Sequence, residues 1–165
     1  MLSLRTVTPD TLELLKALMS APELSSLRLL GGTALALQYG HRVSVDLDLF
    51  GEVTIDKFEL LSLLQGLGEV RVINETKNIH QYFVNGIKVD IVNYPYSWID
   101  APVEDDSIRL ASPKDIAALK INAIEGRGTK KDFIDMHLLL QHYSLEEILT
   151  FYQQKYPDYS IFRAL

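Results

Sequence analysis

The chain contains no cysteine, so neither a disulfide nor a thiolate metal site is available to it, and a reducing compartment suits it. Long apolar runs are also missing. No stretch approaches the roughly 18 uninterrupted apolar residues of a membrane span, and the opening residues lack the basic-then-apolar pattern of an export signal. A cytoplasmic protein with no membrane partner is therefore expected. Basic residues are in the minority: 16 Lys and Arg stand against 22 Asp and Glu, for a net charge of −6. That balance argues against a general nucleic-acid coat protein, while leaving room for a local basic site that takes a nucleotide or an RNA end. Low-complexity segments and internal repeats are absent as well.

What remains is a chain of 165 residues, 47% of them hydrophobic. That length suits one domain, or a domain with a small appendage. Folding at this size buries roughly 68–70% of the surface the unfolded chain exposes, enough for a proper core. Thr8-Pro9-Asp10 opens a helix that Ala21-Pro22 ends. A short buried strand over 27–30 leads into Gly31-Gly32. A helix over 33–39 is stopped by Gly40, and 43–50 reads as a strand. An amphipathic helix spans 54–65, with Ile55, Phe58, Leu61 and Leu64 at helical spacing. Strands follow over 69–76 and 80–84, and Asn85-Gly86 is a strong hairpin signal that returns the chain along 87–93.

Residues 94–107, with two prolines and several acids, read as a loop, where a lid or a linker could sit. Beyond it the pattern is helical. Ser112-Pro113-Lys114-Asp115 is a helix start, Thr129-x-x-Asp132 another, and Ser144-x-x-Glu147 a capping box for a third that ends before Pro157. Residues 158–165 carry little signal. The expected class is α+β: a mixed α/β core over 1–95, a connection over 96–111, and a helical part over 112–165 packed on the core.

The chemistry centres on Leu29-Leu30-Gly31-Gly32-Thr33 and on Arg42-Val43-Ser44-Val45-Asp46-Leu47-Asp48-Leu49-Phe50. Glycines let backbone approach a ligand closely. A glycine turn that opens a helix presents N–H groups to phosphate oxygens, and Thr33 can add a hydroxyl. Asp46 and Asp48, two apart on a strand, point to one face while Leu47 and Leu49 enter the core. Adjacent carboxylates repel unless a cation joins them. A hard divalent ion suits them, with water and substrate phosphates completing its shell. On the strand over 87–93, Ile87, Val89 and Ile91 share one face, and Asp90 lies on the other as the candidate third carboxylate. Taken singly, a Gly-Gly turn or an Asp-x-Asp strand is an ordinary structural feature; their combination and order carry the reading.

Gly-Gly-Thr followed by Asp-Leu-Asp-Leu-Phe resembles the signature of DNA polymerase β-like nucleotidyltransferases and, more narrowly, of the AbiEii/AbiGii toxin family. The resemblance extends over about residues 29–140. It implies a nucleotidyltransferase-like mixed sheet with flanking helices, a nucleoside triphosphate substrate, and Mg²⁺ (or Mn²⁺) held by Asp46, Asp48 and Asp90. It also implies an RNA, notably tRNA, or protein acceptor, and a toxin–antitoxin or phage-defence setting with an antitoxin partner.

Lys120 interrupts the apolar stripe formed by Ile116 and Ile124. Its stem either snorkels over the core or aims a cation at a triphosphate; the segment Asp115-Ile116-Ala117-Ala118-Leu119-Lys120 resembles the family's third motif and favours the second. Arg127-Gly128-Thr129-Lys130-Lys131-Asp132-Phe133-Ile134-Asp135 is the most basic stretch and lies at a helix start suited to anions. It resembles the fourth motif, implying a nucleotide-binding Lys131 and a catalytic Asp132 that orients either Lys120 or an acceptor. Local structure offers simpler roles: Asp132 as a cap residue, and Lys131 with Asp135 as an i,i+4 pair. The four histidines have no metal-ligand spacing. Two further readings compete: a catalytically inactive nucleotide- or partner-binding module on the same fold, and an Asp-x-Asp phosphohydrolase, in which Gly31-Gly32-Thr33 would have no role.

Overall fold

In the computed structural model, which describes residues 1–158, the helix starts are built from the residues that signal them. Thr8 Oγ1 accepts the Thr11 N–H at the head of α1 (Pro9–Ser20). Asp56 caps α3 (Lys57–Gln65), and Ser112 caps α4 (Pro113–Gly126). Thr129 and Ser144 form capping boxes with Asp132 and Glu147 at α5 (Lys130–His142) and α6 (Leu145–Lys155). These contacts satisfy amides that a helix start otherwise leaves without partners. In contrast, α2 (Gly31–Tyr39) has no side-chain cap; Leu30 stands at its N-cap position. Gly40, at φ +67°, ends it in the left-handed region, where glycine carries no Cβ penalty.

The contacts separate into two compact units. Met1–Pro95 with Glu104–Leu110 form the first; Tyr96–Val103 and the described residues from Ala111 on form the second. A seven-stranded mixed sheet carries the first unit, in the order β3 (Val70–Glu75), β4 (Ile79–Val84), β5 (Ile87–Asn93), β2 (Leu47–Gly51), β1 (Arg28–Leu30), β7 (Ile108–Leu110) and β6 (Val103–Asp105). Asn85 and Gly86 turn β4 into β5 with positive φ, as the hairpin signal requires. Leu47, Leu49, Tyr82, Val84, Val89 and Ile91 are buried, so alternate residues of β2, β4 and β5 supply the core.

Two expectations change. The loop expected over 94–107 contains β6, and β6 turns into β7 through Asp106 and Ser107, both at positive φ. That two-residue turn has the twist a tight hairpin needs, although neither residue is a glycine. β7 then runs parallel to β1. Arg109 secures it: Nε donates to the Leu27 carbonyl, Nη1 to that of Met19 and Nη2 to that of Leu24. Second, the strand expected over 43–50 begins only at Leu47, so Asp46 precedes the strand. The backbone before it is drawn elsewhere, since the Ser44 N–H donates to the Thr6 carbonyl.

The second unit is organised by a buried ion pair. Lys155 Nζ lies 2.6 Å from Asp115 Oδ1, both side chains fully enclosed. Asp115 also accepts from Ser112 Oγ and from the N–H groups of Ile99 and Asp100. The ammonium donates onward to the Ser97 carbonyl and sits 4.5 Å from the Trp98 ring centroid. Burial pushes the Asp115 carboxyl up, but the hydrogen bonds from Ile99, Lys155 and Ser112 outweigh it and hold the group below its ordinary value. Every charge there has its partners, the condition under which a buried ion pair is tolerated. The last seven residues, 159–165, lie outside the described part of the chain.

Candidate active site

Asp48 on β2 and Asp90 on β5 are direct partners in the parallel ladder, between the buried pairs Leu47–Val89 and Leu49–Ile91. Register partners project to the same side, so the two carboxylates share the face opposite the core. The β1–β2 ladder places Leu30 opposite Asp48, which brings the Gly31-Gly32 turn to the same strand ends. Gly31 adopts φ +70°, and a Cβ added there would overlap Asp48 Oδ2. The cradle therefore needs glycine for two reasons: the left-handed backbone and the close carboxylate.

Thr33 follows the glycine turn into α2. It is 1% exposed, and its hydroxyl is bonded to Ser44 Oγ, 2.6 Å away, and to the Asp46 carbonyl. A hydroxyl has one proton. That proton goes to the carbonyl, so Ser44 donates to Thr33. The helix start thus holds the backbone of Asp46 beside the glycine turn. Thr33→Val should cost about 1–3 kcal/mol, because it removes the partner of the buried Ser44 hydroxyl and of the part-buried Asp46 carbonyl; Thr33→Ser should recover most of it in denaturant unfolding.

Asp90 Oδ2 accepts from Gln81 Nε2 at 3.2 Å and lies 3.6 Å from Lys88 Nζ. Asp90 Oδ1 is buried with no hydrogen-bond partner. An orphaned carboxylate oxygen beside a second carboxylate fits a divalent cation. Among the described residues, however, no three acidic or imidazole groups gather as a closed cage; Asp46, on the segment ahead of β2, completes no such set with Asp48 and Asp90.

In the second unit, Lys120 is 4% exposed. Its ammonium donates to Asp135 Oδ2 at 2.9 Å and to Asp132 Oδ1 at 3.3 Å. The ammonium therefore does not snorkel to water. Asp135, which the sequence reading paired with the exposed Lys131, instead faces Lys120. Arg127 grips Asp132 with both arms, Nε to Oδ2 and Nη2 to Oδ1, each at 2.9 Å, while the Thr129 hydroxyl and N–H donate to Oδ2. Asp132 is thus both the cap of α5 and an anchor for Lys120. Asp132 and Asp135 lie on the buried face of α5 with Met136 and Leu139, and their three-residue spacing is the one trace of this cluster in the sequence. His137 and His142 are exposed.

The Arg127 guanidinium holds the Asp132 carboxyl far below the usual carboxylate range, against the upward push of burial. A carboxyl depressed in the folded state stabilises that state above its unfolded value, about 3.9, and the contribution is lost as pH falls through the folded value. Melts recorded from pH 7 downward should therefore lose stability below about pH 4, and Asp132→Asn should flatten that dependence.

Comparison with known proteins supplies the family. The model of the nucleotidyl transferase AbiEii toxin, a type IV toxin–antitoxin system, matches residues 13–160. The chain is 33% identical over 166 residues to the uncharacterised protein aq_aa25 of Aquifex aeolicus (strain VF5), covering 96% of this chain and 81% of that one. Its fold is similar to the crystal structure of ANT(2'')-Ia in complex with adenylyl-2''-tobramycin, with a TM-score of 0.68 and 19% identity over 93% of this chain and 100% of that one. It is also similar to JHP933 from Helicobacter pylori, with a TM-score of 0.59 and 20% identity over 92% of this chain and 81% of that one. For the Megavirus polyadenylate synthase the TM-score is 0.58, with 18% identity over 81% of this chain and 31% of that one. With residues 13–160 matched, most of its length, the chain belongs to the AbiEii nucleotidyltransferase toxin family.

Proposed function

We propose that this protein is a metal-dependent nucleotidyltransferase. It transfers a nucleoside monophosphate from a nucleoside triphosphate to an RNA (notably tRNA) or protein acceptor, as the cytoplasmic toxin of a toxin–antitoxin or phage-defence pair. The observation that carries the reading is the in-register pair Asp48–Asp90 beside the Gly31 cradle. In the reaction, an acceptor hydroxyl oxygen bonds to the α-phosphorus, the bond to the bridging oxygen breaks, and pyrophosphate leaves. The hydroxyl proton passes to a base. Asp46, Asp48 and Asp90 would hold Mg²⁺ or Mn²⁺, which supplies charge to offset the triphosphate when bound.

The amides of Gly31 and Gly32, at a helix start without a side-chain cap, suit a phosphate. The Thr33 hydroxyl is committed to Ser44 and Asp46 and serves the site by position. In this reading Lys120, whose ammonium is held by Asp132 and Asp135, is a cation for the triphosphate. Lys131, exposed at the start of α5, is the second cation in this reading.

The lack of a gathered three-acid set among the described residues favours one other reading, a catalytically inactive nucleotide- or partner-binding module. Incubation with each α-labelled nucleoside triphosphate, Mg²⁺ and total cellular RNA separates the two. Label in RNA or in protein supports transfer and names the acceptor class. Nucleotide binding without transfer supports the inactive module, and no binding of any nucleotide overturns the transferase and leaves only the partner-binding form of that module.

A further inference from the structure

Gln81 on β4 stands in register with Asp90 on β5, and Asp90 stands in register with Asp48 on β2. A polar row therefore crosses three neighbouring strands, while the adjoining Tyr82, Val89 and Leu47 are buried. Within the row Gln81 Nε2 donates to one oxygen of Asp90, and the other oxygen is buried without a partner. We propose that Gln81 is a positioning residue: it holds Asp90 so that Oδ1 is presented, beside Asp48, to a divalent cation. The proposal rests on the metal-dependent reading above.

The argument is one of charge and rotamer. Carboxylates directly opposite one another on neighbouring strands repel, so an unrestrained Asp90 would turn away from Asp48 before a cation arrives. The Gln81 amide occupies Oδ2 and thereby holds the rotamer in which Oδ1, on the register partner of Asp48, has no donor. A neutral donor does this without cancelling the negative charge that attracts the cation. Lys88, 3.6 Å from the same Oδ2 and 37% exposed, adds a weaker and more screened restraint. A buried oxygen with no donor is uncommon in folded proteins, and a ligand that completes it accounts for its persistence here.

The test is Mn²⁺ binding to the full chain, read from the paramagnetic resonance of free Mn²⁺, without nucleotide and then with a non-hydrolysable triphosphate. Gln81→Met keeps the length of the side chain and the net charge, so a change in affinity reports orientation rather than field. Affinity should fall about 10-fold, the effect typical of groups that orient metal ligands, with an unchanged melting temperature in the metal-free protein. Gln81→Leu is the second donor-free variant and should behave alike. Equal Mn²⁺ affinity in wild type and both variants overturns the role of Gln81 while leaving the transferase reading intact. A wild type that binds Mn²⁺ no better than Asp48→Asn removes the metal reading itself, and this inference with it.

Discussion

Lys120→Met should lower the melting temperature of the protein by roughly 6–20 °C. The ammonium lies between the carboxylates of Asp132 and Asp135, and all three side chains are at most 4% exposed. Two cations, Lys120 and Arg127, balance two anions in this cluster. Methionine fills the volume of the lysine stem but leaves Asp135 enclosed beside an apolar group. Removing one partner of a buried pair costs about 3–5 kcal/mol, and each kcal/mol moves the midpoint by about 2–4 °C in a chain of this size. Adding Asp135→Leu should recover most of the loss, because a buried pair replaced by apolar residues is often close to neutral. A Lys120→Met protein that melts like wild type would show that the ammonium is not held by these carboxylates. Any loss of transfer in Lys120→Met must therefore be read beside its melt, and the double variant, refolded but without the ammonium, is the one that isolates a role toward phosphate.

Asp48→Asn should have the opposite signature. It preserves shape while removing one of two like charges that stand opposite each other in the β2–β5 ladder, so the metal-free melt should stay or rise. Transfer should fall by more than the roughly 10–100-fold that accompanies loss of a residue merely supporting a metal ligand. Divalent-ion stabilisation should vanish too. At 100 times its dissociation constant, Mg²⁺ should stabilise the wild type by about 2.7 kcal/mol, and the variant by little. Equal stabilisation of both proteins by Mg²⁺ would remove Asp48 from the metal site.

Much of the architecture is legible in short stretches of sequence, since it depends on interactions that close within a few residues. Thr8, Ser112, Thr129 and Ser144 bond to amides three positions on, and Asn85-Gly86 carries the backbone angles of its own turn. The alternation of Leu47, Asp48 and Leu49, and of Val89, Asp90 and Ile91, assigns each acid to the face away from the core whatever its neighbouring strand. The family signature, carried by Gly31, Gly32, Asp46 and Asp48, is local in the same sense.

Tertiary structure decided what lies between distant residues. Strand order made Asp48 and Asp90 register partners across β2 and β5, and no periodicity within either strand specifies its neighbour. The Thr33 and Ser44 hydroxyls and the Thr6 carbonyl drew the chain before Leu47 out of the sheet, because buried polar groups must be satisfied wherever partners lie. Asp106 and Ser107 took left-handed backbone between β6 and β7, where pairing of β7 with β1 and the three bonds from Arg109 compensate an angle those residues otherwise avoid. Lys120 interrupts an apolar stripe, which leaves its ammonium's partner open in the sequence, and nothing within its own helix marks Lys155 as buried. Each is buried because carboxylates reach it across the helices, Asp135 to Lys120 and Asp115 to Lys155, and a charge leaves water only when its partner is brought to it.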